Sequence, residues 1–247
     1  MTTNQMPSRA MVLAAGLGTR MRPLTDTMPK PLIPVAGKPL IDHVLDRFAA
    51  AGVEQVVVNA HHHRDKLEAH LHQRTDLNIH ISVEPELLET GGGVVRALPL
   101  LGPDPFFVAN SDNLWLDGAT PALTRLAQAW RDADMDVLML LQRSVGARGY
   151  EGMGDFLMDQ LGRLRRRKSY EVAPFVFSGV QIIHPRALKD APSGAFSLNL
   201  IYDRAESRGR LYGIAHDGLW FHVGTPESIA ETEAELGYVK RAPSSAT

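Results

Sequence analysis

The first 110 residues alternate short apolar runs with amphipathic stretches, and few folds accept that alternation. Ala10-Met11-Val12-Leu13-Ala14-Ala15 is apolar throughout and stopped by Gly16, the mark of a strand buried on both faces. Residues 39–51 place Leu40, Val44, Leu45 and Phe48 at helical spacing, with Pro39 at the start and Gly52 just past the end. Residues 53–59 read as a second strand, 63–71 as a second helix, and 78–83 as a third strand by its polar–apolar alternation. Residues 91–98 read as a helix opening on three glycines, and 105–109 as a fourth strand. This order predicts an α/β fold: a central, mostly parallel sheet with crossover helices. In such sheets ligands sit at the carboxyl ends of the strands, where Gly16–Arg20, Asn59 and Asp112 all fall.

The second half is less regular. A helix is predicted over 120–132, strands over 136–142, 175–183, 211–215 and 219–223, and a helix over 226–236; 146–162 reads as loop and 241–247 as a disordered polar tail. No linker or repeat divides the 247 residues, so a single domain is expected. Composition removes several classes. The formal net charge of −2 lacks the basic excess of a nucleic-acid binder. The absence of cysteine removes disulfide scaffolds, thiolate metal sites and cysteine nucleophiles. No apolar run approaches the roughly 20 residues that cross a bilayer, and the polar start MTTNQMPSRA carries no signal segment, so the cytoplasm is the expected compartment.

Four segments carry chemistry. In Leu13-Ala14-Ala15-Gly16-Leu17-Gly18-Thr19-Arg20-Met21-Arg22-Pro23, small residues after a buried strand let backbone N–H groups approach an anion, and Arg20 and Arg22 add charge. Met21 breaks the dinucleotide fingerprint, which disfavours a dinucleotide-dependent oxidoreductase. Pro23, Pro29, Pro31 and Pro34 forbid a following helix, and no Gly-Lys-Ser/Thr makes a Walker loop. Glycine content alone leaves a tight turn and a phosphate loop both open. In Pro29-Lys30-Pro31-Leu32, flanking prolines stiffen the chain around a cation; the alternative is a solvated lysine. In Glu89-Thr90-Gly91-Gly92-Gly93, three glycines are costly to order unless something such as a flat base comes close; the alternative is a flexible helix start. Asp112, in Asn110-Ser111-Asp112-Asn113 at a strand end, can hold Mg²⁺ together with substrate phosphates, or form an Asx turn.

In this order and spacing, the Leu13–Thr25 loop, Pro29-Lys30-Pro31-Leu32 and Asp112 resemble the sugar-1-phosphate nucleotidyltransferase family over nearly the whole chain. Leu88-Glu89-Thr90-Gly91-Gly92-Gly93, Phe177-Ser178-Gly179 and His184-Pro185 bring it closest to the N-acetylmuramate α-1-phosphate uridylyltransferases of peptidoglycan recycling. The length matches members without a β-helix acyltransferase domain. The resemblance implies a Rossmann-like three-layer nucleotidyltransferase fold, with a nucleotide half over 1–115 and a sugar half over 116–240. It implies nucleotidyl transfer from a nucleoside triphosphate, UTP in the first place, to a sugar 1-phosphate in a monomer or small homo-oligomer. By motif position, Ala14, Ala15, Gly16, Gly18 and Thr19 would hold the nucleotide, Arg20 and Lys30 the triphosphate, and Glu89, Gly91 and Gly92 the base. Asp112 would ligate Mg²⁺. Asn110, Gly154, Glu171 and Gly179 would face the sugar.

One position departs from the family. Trp220-Phe221-His222-Val223-Gly224-Thr225 puts His222 where the family usually places an aspartate as second metal ligand. Imidazole suits Mn²⁺, Co²⁺ or Zn²⁺ better than Mg²⁺. His222 ligating a softer metal, Mg²⁺ held without it, and Asn113 helping to fill the gap are all open. Retained activity is favoured by the intact remainder of the motifs. Guanylyl transfer to mannose or heptose 1-phosphate and a silent nucleotide-sugar sensor are the alternatives. His61-His62-His63 reads as a solvated helix start rather than a metal cluster, because consecutive residues point apart. Arg163, Arg165, Arg166, Arg167 and Lys168 read as an exposed hairpin, or as cations suited to the lactyl carboxylate of N-acetylmuramate.

Overall fold

A computed structural model of the protein describes residues 6–237. The tail expected over 241–247 lies outside the described residues. Strands β1 (Arg9–Leu13), β2 (Gln55–Ala60), β3 (Asn78–Val83) and β4 (Phe106–Asn110) run parallel in the order β3-β2-β1-β4. Strands β1, β2 and β4 bury both faces, so their apolar runs are continuous, whereas the edge strand β3 is only partly buried and alternates polar and apolar residues. Ala10 and Val12 of β1 join the core on one side, and Met11 joins the core on the other. Helices α1 (Leu40–Ala50) and α2 (Arg64–Leu71) cover the first side through Ile41, Val44, Leu45, Phe48, Leu67 and Leu71. Helix α3 (Glu89–Leu101) covers the second through Val94, Ala97 and Leu101.

The sheet continues through elements of the second half. After β4 come β5 (Asn113–Leu116), α4 (Ala122–Ala129), β6 (Val137–Arg143), β7 (Phe156–Met158), β8 (Leu164–Arg166), β9 (Phe175–Ile183), α5 (Asn199–Ser207), β10 (Leu211–Ala215), β11 (Leu219–His222) and α6 (Pro226–Glu235). Strand β9 lies antiparallel to β4, and β6 and β10 extend the sheet beyond it. The result is three layers around a mixed sheet, as expected. Strand β5 and helix α5 lie in stretches that the hydrophobic pattern leaves unassigned, while β7 corrects the loop expected over 146–162: its three residues are held as a strand by pairing with β8. The basic run forms the hairpin of β7 and β8.

Two features of this topology create the site. The chain order reverses between β1 and β4, whose carboxyl ends lie side by side: Ser111 N–H donates to the Leu13 carbonyl at 3.0 Å. That reversal is where an open α/β sheet leaves a crevice. Strand β9 meets β7 only at Phe175 and β4 only from Val180 onward, with an irregularity between Phe177 and Gln181. The sheet is therefore split at Ser178-Gly179, directly above the end of β4.

The proline-rich segment after β1 forms no α-helix, yet it is not purely extended. Thr19–Met21, Leu24–Asp26 and Lys30–Leu32 are single 3₁₀ turns, and Pro31 sits in the first turn of the last one. One turn with i to i+3 bonds needs few N–H groups, so prolines are tolerated there. Met21, Ile33 and Val35 anchor this segment in a small core with Leu40, Leu114, Phe221 and Val223. The loop that carries Arg20 and Lys30 is thereby tied to β5 and β11.

Candidate active site

Two cavities open at the strand ends. The larger, about 380 Å³, is lined by Ala14, Ala15, Gly16, Gly18, Lys30, Glu89, Asn110 and Asp112, together with Asn59, Leu87, Thr90 and Ser197. The smaller, about 210 Å³, is lined by Arg20, Asn110, Asp112, Asn113, Tyr150, Asp155, Phe177, Gly179, Trp220 and His222. Asn110 and Asp112 belong to both, so the two are one bent cleft with Asp112 at the elbow. Lys30 Nζ is ion-paired with Asp112 Oδ2, and the lysine side chain is only 12% exposed. The stiff proline-flanked turn thus delivers a half-enclosed cation onto the elbow carboxylate.

The walls of the larger cavity are fixed by a buried pair at the ends of β2 and β3. Asn59 Oδ1 accepts the Ala14 N–H at 2.7 Å, and Asn59 Nδ2 donates to Glu84 Oε1 at 2.6 Å. Glu84 Oε2 accepts the Leu88 N–H at 3.0 Å. One amide and one carboxylate therefore clamp the loop after β1 and the turn before α3 together. Glu84 carries no sequence signal of its own, because its partners lie 25 residues back and in a loop. Replacing Asn59 with Leu leaves both the Ala14 N–H and Glu84 unpaired in a dry site. The expected cost is about 3 kcal/mol, a fall in Tm of about 10 °C measured by thermal unfolding. An unchanged Tm would show that water replaces the clamp.

The three glycines serve the chain itself. Gly91 and Gly92 are buried and line neither cavity, and both N–H groups point to the Phe196 carbonyl, at 2.8 and 3.2 Å. A Cβ on Gly91 would run into the Phe196 ring, one on Gly92 into the Gly194 carbonyl, and one on Gly93 would lie 2.7 Å from Glu84 Oε1. Within the protein, what comes close is the 194–198 segment and the buried clamp. Glu89, at the first turn of α3, does line the larger cavity, and it holds φ at 56° without being glycine. Such strain persists where surrounding structure imposes it, often at ligand sites.

The remaining residues divide similarly. Gly16 and Gly18 reach the larger cavity and Arg20 the smaller, while Thr19 is exposed outside both. Ala14 lines the cavity, but its N–H is committed to Asn59. Gly179 lies in the sheet split with φ at 81°, against Asn110 and Asn113. Gly154 is absent from both linings. Its N–H donates to the Tyr150 hydroxyl at 3.1 Å, and its carbonyl accepts Arg167 Nε at 2.6 Å. Glu171 also lies outside. Arg165 grips its carboxylate at 2.8 and 3.2 Å and, with the Lys168 N–H, holds its pKa below the usual carboxylate range. The acid that does face the smaller cavity is Asp155, whose Oδ2 accepts the Phe177 N–H at 2.9 Å. Nothing in its loop sequence announced it.

His222 pairs directly with Asn113 across the β5–β11 ladder, beside Asp112. Its ring lies edge-on to Tyr150, with centroids 6.2 Å apart, and near Trp220. Burial lowers its pKa; the Asp112 charge opposes this, and Lys30 and Arg20 push it further down. The net downward shift favours the neutral ring, the form in which an imidazole binds a metal. Asn113 is buried, with its Nδ2 unpartnered. By contrast, among the described residues no three His, Asp or Glu side chains cluster as a metal site. His61 and His62 are half-buried and bond the carbonyls of Glu84 and Thr25 at 2.9 and 3.2 Å.

A family model described as nucleotidyl transferase matches residues 9–151, which includes the loop after β1, the lysine turn and the Asp112 elbow. The chain belongs to the nucleotidyl transferase family. Across 94% of this nucleotidyl transferase, it is 46% identical to an N-acetylmuramate alpha-1-phosphate uridylyltransferase of Caulobacter vibrioides, covering 98% of that protein. It is 36% identical to the protein of the same name from Neisseria meningitidis, over 93% of this chain and 98% of that one. A mannose-1-phosphate guanyltransferase of Hypocrea jecorina is 41% identical over 90% of this chain and 62% of its own length. Among solved structures, a UDP-glucose pyrophosphorylase complexed with UDP-glucose superposes with a TM-score of 0.76 at 16% identity. It covers 93% of this nucleotidyl transferase and 98% of that chain. The inositol-1-phosphate CTP transferase from T. maritima gives 0.74 at 18%, covering 93% and 97%. At such identities these two structures establish the shared fold.

Proposed function

We propose that this nucleotidyl transferase moves a uridylyl group from UTP to N-acetylmuramate α-1-phosphate, forming UDP-N-acetylmuramate and pyrophosphate in peptidoglycan recycling. The bent cleft with Asp112 at its elbow carries the reading of the reaction, because two phosphate-bearing substrates in its two arms would meet at that carboxylate. The full-length likeness to two uridylyltransferases supports the choice of substrates. Residues 1–115 would hold the nucleotide and 116–240 most of the sugar. Guanylyl transfer to mannose 1-phosphate is the second reading, supported by the 41% identical guanyltransferase.

In the proposed step, an oxygen of the sugar 1-phosphate attacks the α-phosphorus in line. The new P–O bond forms as the bond to the β-phosphate bridge breaks, and pyrophosphate leaves with the electron pair. The attacking oxygen is already anionic, so no general base is required. Catalysis then rests on placement and on charge set in advance. Lys30 would hold the triphosphate beside the elbow, and Arg20 would counter phosphate charge from the smaller arm. Asn110, in both linings, would orient the incoming phosphate. Asp112, His222 and Asn113 put a carboxylate, an imidazole and an amide carbonyl on one cavity wall, a donor set that fits a divalent cation shared with phosphates. Such a cation, Mg²⁺ or Mn²⁺, supplies charge neutralisation at the α-phosphate when bound.

The reaction type is tested with UTP labelled at the α or the γ phosphate. The α label should appear in the UDP-sugar, the γ label in pyrophosphate, and none on the protein. Label retained on the protein would refute direct transfer. His222→Asp should raise the ratio of Mg²⁺- to Mn²⁺-supported activity by about tenfold, measured in metal titrations. An unchanged ratio would put residue 222 outside the metal shell.

A further inference from the structure

The cleft does not end at Asp155. A third cavity, of about 480 Å³, shares Asp155 and Phe177 with the smaller arm and is lined beyond them by Arg166, Arg167, Ser169 and Asn199. Asp155 forms a rigid partition. Its N–H donates to the Phe175 carbonyl at 2.7 Å, its carbonyl accepts the Arg167 N–H at 2.9 Å, and its Oδ2 accepts the Phe177 N–H. The Arg167 guanidinium is set in place by Nε and Nη1 bonds to the carbonyls of Gly154 and Lys168, at 2.6 and 3.1 Å. Arg166 is steadied by Asp203 through one Nη1 bond and stays about one-third exposed. Arg165, next to it, is spent on Glu171. The neighbouring cavity thus presents two positioned guanidinium groups on the far side of the sugar arm from Lys30 and the elbow. Planar guanidinium groups read carboxylates.

We propose that this third cavity is the subsite for an anionic substituent on the sugar ring, with Arg166 and Arg167 recognising the carboxylate of an ether-linked lactyl arm. The proposal rests on the uridylyltransferase reading above and adds to it the residues that select an acidic sugar over its neutral parent. Asp155, facing both cavities, accepts ring hydroxyls at the partition and repels a carboxylate placed short of it, which pushes the arm outward.

The test compares kcat/KM for N-acetylmuramate 1-phosphate with that for N-acetylglucosamine 1-phosphate, the same sugar without the arm. It uses the wild type, Arg166→Met and Arg166→Lys, each checked for an unchanged Tm. The wild type should prefer the acidic sugar. Arg166→Met should cut that preference by about 10- to 100-fold, mainly through a higher KM for the acidic substrate, and Arg166→Lys should recover part of it. An unchanged preference in Arg166→Met, or equal losses on both sugars, overturns the subsite while leaving the uridylyltransferase reading intact. A wild type that does not use the acidic sugar overturns both.

Discussion

Replacing Asp112 with Asn is expected to lower kcat for nucleotidyl transfer by at least about 10³-fold, equivalent to about 4 kcal/mol of transition-state stabilisation, with the fold preserved. The two side chains have the same shape, so the change is one of charge. The carboxylate stands where both arms of the cleft meet and holds the Lys30 ammonium against it. An amide there is a poor cation ligand, and it leaves Lys30 without its counter-charge. The cost to folding is small, about 1 kcal/mol or about 3 °C in Tm, since Asp112 remains partly open to water. Single-turnover pyrophosphate release alongside thermal unfolding separates the two effects. Full turnover in this variant would remove Asp112 from the reaction.

Gly179→Ala is expected to lower kcat/KM by about 10²-fold, because a shift of an ångström in a reacting phosphate is enough for that loss. At φ 81°, an L side chain is strained by about 1–2 kcal/mol. Its Cβ would also lie 2.5 Å from Asn113 Nδ2 and 2.8 Å from Asn110 Nδ2. Asn113 is buried and cannot swing into water, so the wall between the sugar arm and the elbow must move. Gly209→Ala supplies the control. Gly209 has a similar φ of 66°, lies after α5 with nothing within 4 Å of an added Cβ, and is outside both arms. It should lose only the stability that the positive φ costs and keep its activity. Equal activity losses in the two variants would mean that Gly179 matters only to folding.

The first half of the fold was legible because burial on both faces writes a strand as an unbroken apolar run, as in Met11 to Leu13, and a crossover helix as a stripe, as in Leu40 to Phe48. Strand β5 was not, since Asn113–Leu116 is stabilised by pairing with Leu219–His222, more than 100 residues away. Helix α5 was hidden in a short segment whose apolar face, Ile201, Tyr202 and Ala205, only makes sense beneath the sheet. At the site, Lys30 and Asp112 were legible by position after a strand or between prolines, and the structure places them in contact. The glycine run was legible as a demand for close approach, but the source of that demand, Phe196 and Gly194, is remote in sequence. Glu171 is placed at the sugar only by the family resemblance, through a loop that the motifs do not align, and the structure gives its carboxylate to Arg165. Glu84 and Asp155 left no mark because their partners are backbone groups and an amide brought in by the fold.

The central claim is that UTP and an acidic sugar 1-phosphate meet at Asp112. The most direct measurement is pyrophosphate release from each of the four ribonucleoside triphosphates and dTTP. Each would be paired with the 1-phosphates of N-acetylmuramate, N-acetylglucosamine, glucose and mannose, in Mg²⁺ and again in Mn²⁺. One dominant signal with UTP and N-acetylmuramate 1-phosphate is the predicted result. A dominant signal with GTP and mannose 1-phosphate, or nucleotide binding without pyrophosphate release from any pair, would contradict it.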